Sequence, residues 1–165
     1  YSFSKELITF FHCHPYLRTN KIKEFYSKDF KNTDNFSYEE YFKIIKDFLK
    51  LTDTVLLDYK YITAELYKTK VGTEKSKVDE FLSYLNSRNI DTWLRQVIIK
   101  DLNNNENSVK VLKELKQKYP CIKKTELLPF KKLCIEKYEK LGIPFPLAET
   151  PETSKKEIEE LEKYL

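Results

Sequence analysis

Apolar residues recur at intervals of three and four along most of this 165-residue chain, the spacing that gathers them on one side of an α-helix. Phe3, Leu7, Phe10 and Phe11 make a first stripe that must end near Pro15, and Asn20 can cap a second carrying Ile22, Phe25 and Tyr26. Ser37 with Glu40 is a capping-box pair ahead of Tyr41, Phe42, Ile45, Phe48 and Leu49. Asp53 can open the next helix, with Leu56, Tyr59, Ile62 and Leu66 on one face and Gly72 as its stop. Ser76, with Asp79 in the capping-box position, opens the next, with Val78, Phe81, Leu82 and Leu85 on one face. Asn89 or Asp91 opens a segment in which Ile90, Leu94, Val97, Ile98 and Leu102 align. Beyond a loop from Asn103 to Asn107, Ser108 begins a helix with Val111, Leu112, Leu115 and Tyr119. Thr125 can cap an eighth, with Pro129 in its first turn and Gly142 past its end. Pro144, Pro146 and Pro151 hold the chain extended before Ser154 and Glu157 start a last short helix.

About nine short helices with brief loops are too short for a simple four-helix bundle, and no fixed-period repeat is present. The expected architecture is all-α: a right-handed superhelix of eight or nine stacked helices over 1–147, followed by a proline-containing linker and acidic helix over 148–165 that packs on or extends the domain. Composition agrees. Only two glycines stand among 165 residues, and glycine is the residue that tight sheet turns and phosphate-cradling loops ordinarily use.

A net charge of +4 from 30 basic and 26 acidic residues describes a mixed surface and names no partner. The distribution is more informative. Lys110 to Lys140 contains ten lysines and four glutamates, whereas Glu149 to Leu165 has six glutamates and three lysines. Either the acidic tail covers the basic helices, or Lys116, Lys118, Lys123, Lys124, Lys131 and Lys132 meet an acidic peptide or a phosphate backbone. Three cysteines cannot all pair within the chain, which points to a reducing, cytoplasmic setting. No apolar run approaches the length of a membrane span. Residue 1 is tyrosine, so the chain reads as an excised or processed piece, and a targeting segment can lie outside it.

The stretch LCIEKYEKLGIPFP, Leu133 to Pro146, resembles the last helix and exit of VHS domains, the superhelical modules of endosomal sorting adaptors, through Gly142, Ile143, Phe145 and Pro146. That VHS/ENTH-like resemblance implies a non-enzymatic, protein-binding role in endosomal or vesicular trafficking. In the members that capture acidic dileucine peptides, the ligand lies between the sixth and eighth helices, which implies a peptide site here at Trp93, Lys100, Lys131 and Lys132. Phe25 and Tyr26 stand where ubiquitin-binding members use tryptophan, which argues against ubiquitin as a partner. Related superhelices that read the RNA polymerase tail or bind lipids in clathrin adaptors share the architecture. WLRQVIIKDL, Trp93 to Leu102, also resembles a segment of the helical DNA-binding domain of eukaryotic DNA ligases. The alternative it implies is a nucleic-acid-binding module, and a structural subdomain of a larger protein is a third.

Catalysis finds no motif. On a helix His12 and His14 point roughly 200° apart and cannot clasp one ion with Cys13 between them. Cys121 and Cys134 lack a neighbouring histidine, and there is no phosphate loop, nucleophile elbow or His-Glu-x-x-His helix. The sequence therefore predicts no enzyme activity, no catalytic residue, no metal and no cofactor.

Overall fold

The computed structural model of the protein describes residues 42–43, 45–46 and 49–165. The two helices expected before Pro15 and after Asn20, the Ser37–Glu40 capping pair, Phe25, Tyr26, and the His12, Cys13 and His14 group lie outside them.

The expected all-α superhelix is not what the chain forms. β1 (Thr54–Asp58), β2 (Asp91–Ile98) and β3 (Ile122–Pro129) pair in parallel, in the order β1-β2-β3. Asp53 thus precedes a strand rather than capping a helix, the segment read as the sixth helix is largely β2, and the one read as the eighth begins in the end of β3 and is helical only over Ile135–Lys140. Three features of the sequence explain the misreading. Val55, Leu56 and Leu57 form a short continuous apolar run, whose period cannot separate strand from helix. In β2 the buried set is Thr92, Leu94, Gln96 and Ile98, so two polar residues break the alternation, while Trp93 and Val97 on the opposite side imitate a helical stripe. In β3 a register shift beside Thr92 and Trp93 moves the pattern by one position. The glycine argument fails as well: Asn89 (φ 52°) and Asp101 (φ 62°) carry the left-handed turns before and after β2, a conformation their short polar side chains tolerate.

Helices connect the strands. α1 (Ala64–Leu66), capped by the Thr63 side chain, runs into a π-helical turn (Tyr67–Val71) that stops at Gly72 with φ 81°. α2 (Lys75–Ser87) follows. Its expected cap pair does not form: the cap position is Glu74, and Asp79 instead receives Tyr59 Oη at 2.9 Å and Lys75 Nζ at 2.7 Å. α3 (Glu106–Lys118) is capped by Asn105, three residues before the expected Ser108, whose backbone N–H donates to the Asn105 side chain. After β3 come α4 (Ile135–Lys140) and α5 (Lys155–Glu162). Crossovers between parallel neighbours are right-handed almost without exception, which for the order β1-β2-β3 puts α2 and α3 on one face of the sheet. One core results: Val55, Leu57, Leu94, Ile98 and Leu127 pack with Val78, Phe81, Leu82, Leu85, Val109 and Leu112, and with Phe42, Ile45 and Leu49 of the helical stretch ahead of β1.

Residues 131–152 leave the end of β3 and return to it. Phe130 N donates to Ile98 O, Thr153 N to Phe130 O, and Thr153 Oγ1 to Ile98 O at 2.6 Å. Gly142 (φ 64°) and the prolines after it turn the strap so that Phe145 stacks on Phe130 and meets Tyr138. The Gly142 to Pro146 motif therefore closes a strap beside a sheet, not the exit of a superhelix.

α5 starts with a complete capping box: Ser154 Oγ accepts from Glu157 N, and the Glu157 carboxylate accepts from Ser154 N and Oγ. These bonds, the Ser154 hydroxyl first, hold the Glu157 carboxyl below its ordinary value. Because the folded value is the lower one, the stabilisation is complete above the usual carboxylate range and drains away as pH falls through the depressed value. Ser154→Ala is expected to cost about 1 kcal/mol at neutral pH. Melting curves at descending pH should show the gap narrowing in acid, as the carboxylate half of the box is lost while the Glu157 N–H to Ser154 Oγ bond remains; no gap at neutral pH would refute the capping account.

Candidate active site

In parallel sheets ligands bind beyond the carboxyl ends of the strands, where loops and helix starts converge. Here that edge is formed by Asp58 to Lys60 after β1, Ile98 to Asn103 after β2, and Phe130 to Lys132 after β3. The register sets Asp58 beside Arg95 and Arg95 beside Glu126, on the face turned away from α2 and α3.

Asp58 is the centre of this edge. One oxygen, Oδ1, accepts from Arg95 Nε at 3.0 Å and lies 2.7 Å from Arg95 Nη2 in the same ion pair; the other, Oδ2, accepts from Lys60 Nζ at 3.2 Å. All three side chains are partly shielded, at 14% exposure for Asp58, 20% for Arg95 and 29% for Lys60, so the charges attract more strongly than an exposed pair would. Behind them the phenols of Tyr59 and Tyr67 are pushed above their ordinary values by burial, and for Tyr59 also by the Asp79 carboxylate, so both stay protonated. Two cations and one carboxylate at a strand edge can hold a small ligand carrying charge of both signs.

Sequence reasoning missed this cluster. The signal was Asp58-Tyr59-Lys60 at the end of an apolar run, but a helix reading gave those side chains no common place with Arg95, which lies 37 positions away.

The residues expected to bind a peptide or phosphates are dispersed. Trp93 is on the same sheet face as Arg95, with Lys124 Nζ 4.7 Å from its ring, and Lys124 also pairs with Glu126. Lys123 faces Asp91 at 3.7 Å. Lys116 and Lys118 are in the last turn of α3, where positive charge complements the helix dipole. Lys100 sits in the turn after β2. Lys131 Nζ and Lys132 N both reach Glu152, and Lys132 Nζ donates to Ala148 O. These contacts, led by the Lys132 backbone N–H, hold the Glu152 carboxyl below its ordinary value. Trp93 and Lys124 are brought together, and Lys131 with Lys132; one groove uniting the set is not formed. The acidic tail touches α3 and β3 mainly through Ile158, Leu161 and Leu165. Among the described residues no group of three His, Cys, Asp or Glu side chains is placed to hold a metal ion. Cys121 is buried, and burial pushes its thiol up.

The chain is similar to pyruvate formate-lyase-activating enzymes. It is 33% identical over 134 residues to the one from Clostridium pasteurianum, covering 81% of this chain and 55% of that protein. To the pyruvate formate-lyase 1-activating enzyme of Escherichia coli K12 it is 28% identical over 125 residues, 76% and 51% of the two chains. The chain thus spans about half the length of the curated relatives it matches. A crystal structure of a domain of the pyruvate-formate lyase-activating enzyme from Bacteroides vulgatus superposes with a TM-score of 0.57 at 13% identity, over 74% of this chain and 69% of that one, a likeness of fold. No protein-family model matches the chain.

These findings overturn the VHS resemblance and, with it, the trafficking adaptor: the relatives are enzymes, so the expectation of no enzyme activity falls too. The acidic-peptide and nucleic-acid partners rested on helices at Trp93 to Leu102 and Leu128 to Lys140, which are instead mostly strand β2 and, beyond the end of β3, a strap with one short helix; the argument about ubiquitin rested on Phe25 and Tyr26, outside the described residues. Among the described residues no helix is long and apolar enough to cross a membrane.

Proposed function

We propose that the chain carries part of an enzyme that activates pyruvate formate-lyase, or a protein like it, and that the edge formed by Asp58, Lys60 and Arg95 is where it holds a small charged co-substrate. The observation that carries this reading is the Asp58 carboxylate bridging Arg95 and Lys60 at the carboxyl end of β1, supported by the likeness to activating enzymes over four-fifths of the chain. Arg95 and Lys60 suit a carboxylate and Asp58 suits an ammonium group, and fixed charges of this kind need no reorganisation when the ligand arrives. Residues 148–165 work with the same unit, because Thr153 closes the strap onto the strand ends. A cytoplasmic setting fits the free thiols of Cys121 and Cys134.

The test adds the full-length protein that carries this chain to inactive pyruvate formate-lyase and follows formate made from pyruvate. Formate above the enzyme-free control supports the proposal. No formate from folded protein, in a preparation that the Clostridium pasteurianum enzyme does activate, overturns it.

A further inference from the structure

The turn that follows β1 is held by side chains from elsewhere in the fold. Tyr59 N donates to Arg95 O at 2.7 Å, the one purely backbone bond in the set. Tyr59 O accepts from Gln96 Nε2 at 3.0 Å, Lys60 N donates to Tyr67 Oη at 3.0 Å, and Lys60 O accepts from Asn103 Nδ2 at 3.1 Å. All four backbone polar groups of the two residues are therefore satisfied, three of them by side chains of β2, the π-helical turn and the loop before α3. Asn103 also accepts from Ile99 N at 2.7 Å and donates to Val97 O at 2.8 Å, tying the exit of β1 to the exit of β2. Tyr67, Gln96 and Asn103 are each at most 1% exposed.

Packing alone does not account for Gln96. It takes a core-facing position between Leu94 and Ile98, and its Oε1 has no hydrogen-bond partner among the described residues. An apolar side chain there would bury without leaving an orphaned acceptor. What the amide provides is the single bond to Tyr59 O, between the two residues whose charges make the site.

We propose that Gln96, Asn103 and Tyr67 are positioning residues: they fix the Asp58–Lys60 turn so that the carboxylate and the ammonium stand at set distances from Arg95. The proposal rests on the active-site reading above, because it assigns these residues to the ligand-holding edge. Groups that touch a ligand need their own positions locked by neighbours, and a displacement of about 1 Å can cost a hundredfold in rate.

The test uses Gln96→Leu, which keeps the core filled, and Asn103→Asp, which keeps the acceptor for Ile99 N but cannot donate to Lys60 O or Val97 O when ionised. The chain has three arginines, so a spectrum of protein labelled with 15N-arginine is simple to assign. In wild type the Arg95 Nε–H is expected to be shifted and slow to exchange, as a donor to Asp58. Both variants should remain folded, with Gln96→Leu melting within a few degrees of wild type. Both should speed Arg95 Nε–H exchange about tenfold, leave Arg88 unchanged, and lower kcat for activation of pyruvate formate-lyase about tenfold at an unchanged KM for that protein. A merely structural role would move melting temperature and leave arginine exchange alone. Arg95 exchange within twofold of wild type in folded variants, or an unchanged kcat, would overturn the proposal. If wild type activates nothing, the active-site reading fails, and arginine exchange still decides whether these side chains set the turn.

Discussion

Arg95→Leu is expected to lower stability by about 2–3 kcal/mol and activation of pyruvate formate-lyase by at least about a hundredfold. Removing one partner of a fully buried ion pair costs about 3–5 kcal/mol, because the other charge is left desolvated and alone. Asp58 and Arg95 keep 14% and 20% of their side chains in contact with solvent, so the penalty is scaled down accordingly. The loss of activity has a separate cause: Asp58 would then be held by Lys60 alone and the cationic side of the site would be halved. Urea unfolding and the formate assay read the two effects independently. Arg95→Lys should recover much of the stability and little of the activity, since an ammonium cannot supply the paired Nε and Nη2 contacts to one oxygen. An Arg95→Leu protein as stable as wild type would mean that the pair does not exist in solution.

The second large effect is in the core. Leu94 is fully buried in the central strand, paired with Leu57 of β1 and Thr125 of β3, under α2 and α3. Leu94→Ala should cost about 3–4 kcal/mol, the transfer energy of the lost carbons plus the cavity they leave. For a chain of this size that corresponds to a fall of about 10 °C in Tm. Leu133→Ala is the contrast: its side chain is 90% exposed in the strap, and the change should stay within about 0.5 kcal/mol. A scanning calorimetry series on the two variants checks both values, and equal shifts would mean that the strands do not bury the face assigned to them.

Which parts of the molecule could be read from the residues depended on how local their causes are. The helix bearing Val78, Phe81, Leu82 and Leu85 and the capping box of Ser154 and Glu157 follow from neighbours three or four positions apart, and both form where the pattern places them. Gly72 and Gly142 stop their helical segments with positive φ for an equally local reason. The strands were not readable in that way. Leu56, Tyr59 and Ile62 satisfy a helical stripe as well as Val55 and Leu57 satisfy a strand. The choice falls to pairing with Trp93 and Leu94 nearly forty positions on. Long-range pairing has no signature in a local window, and the polar interior residues Thr92 and Gln96 erased the alternation that might have shown it.

The candidate site divides along the same line. Residue order alone supplied its ingredients: an aspartate and a lysine closing an apolar run, an arginine inside another, and an asparagine-rich loop. Their meeting is tertiary. Parallel pairing sets Arg95 against Asp58 across 37 positions, and the loop before α3 carries Asn103 to Lys60 O across 43. A charge cluster has energy only at the distances between its members, and those distances exist once the sheet has closed its register.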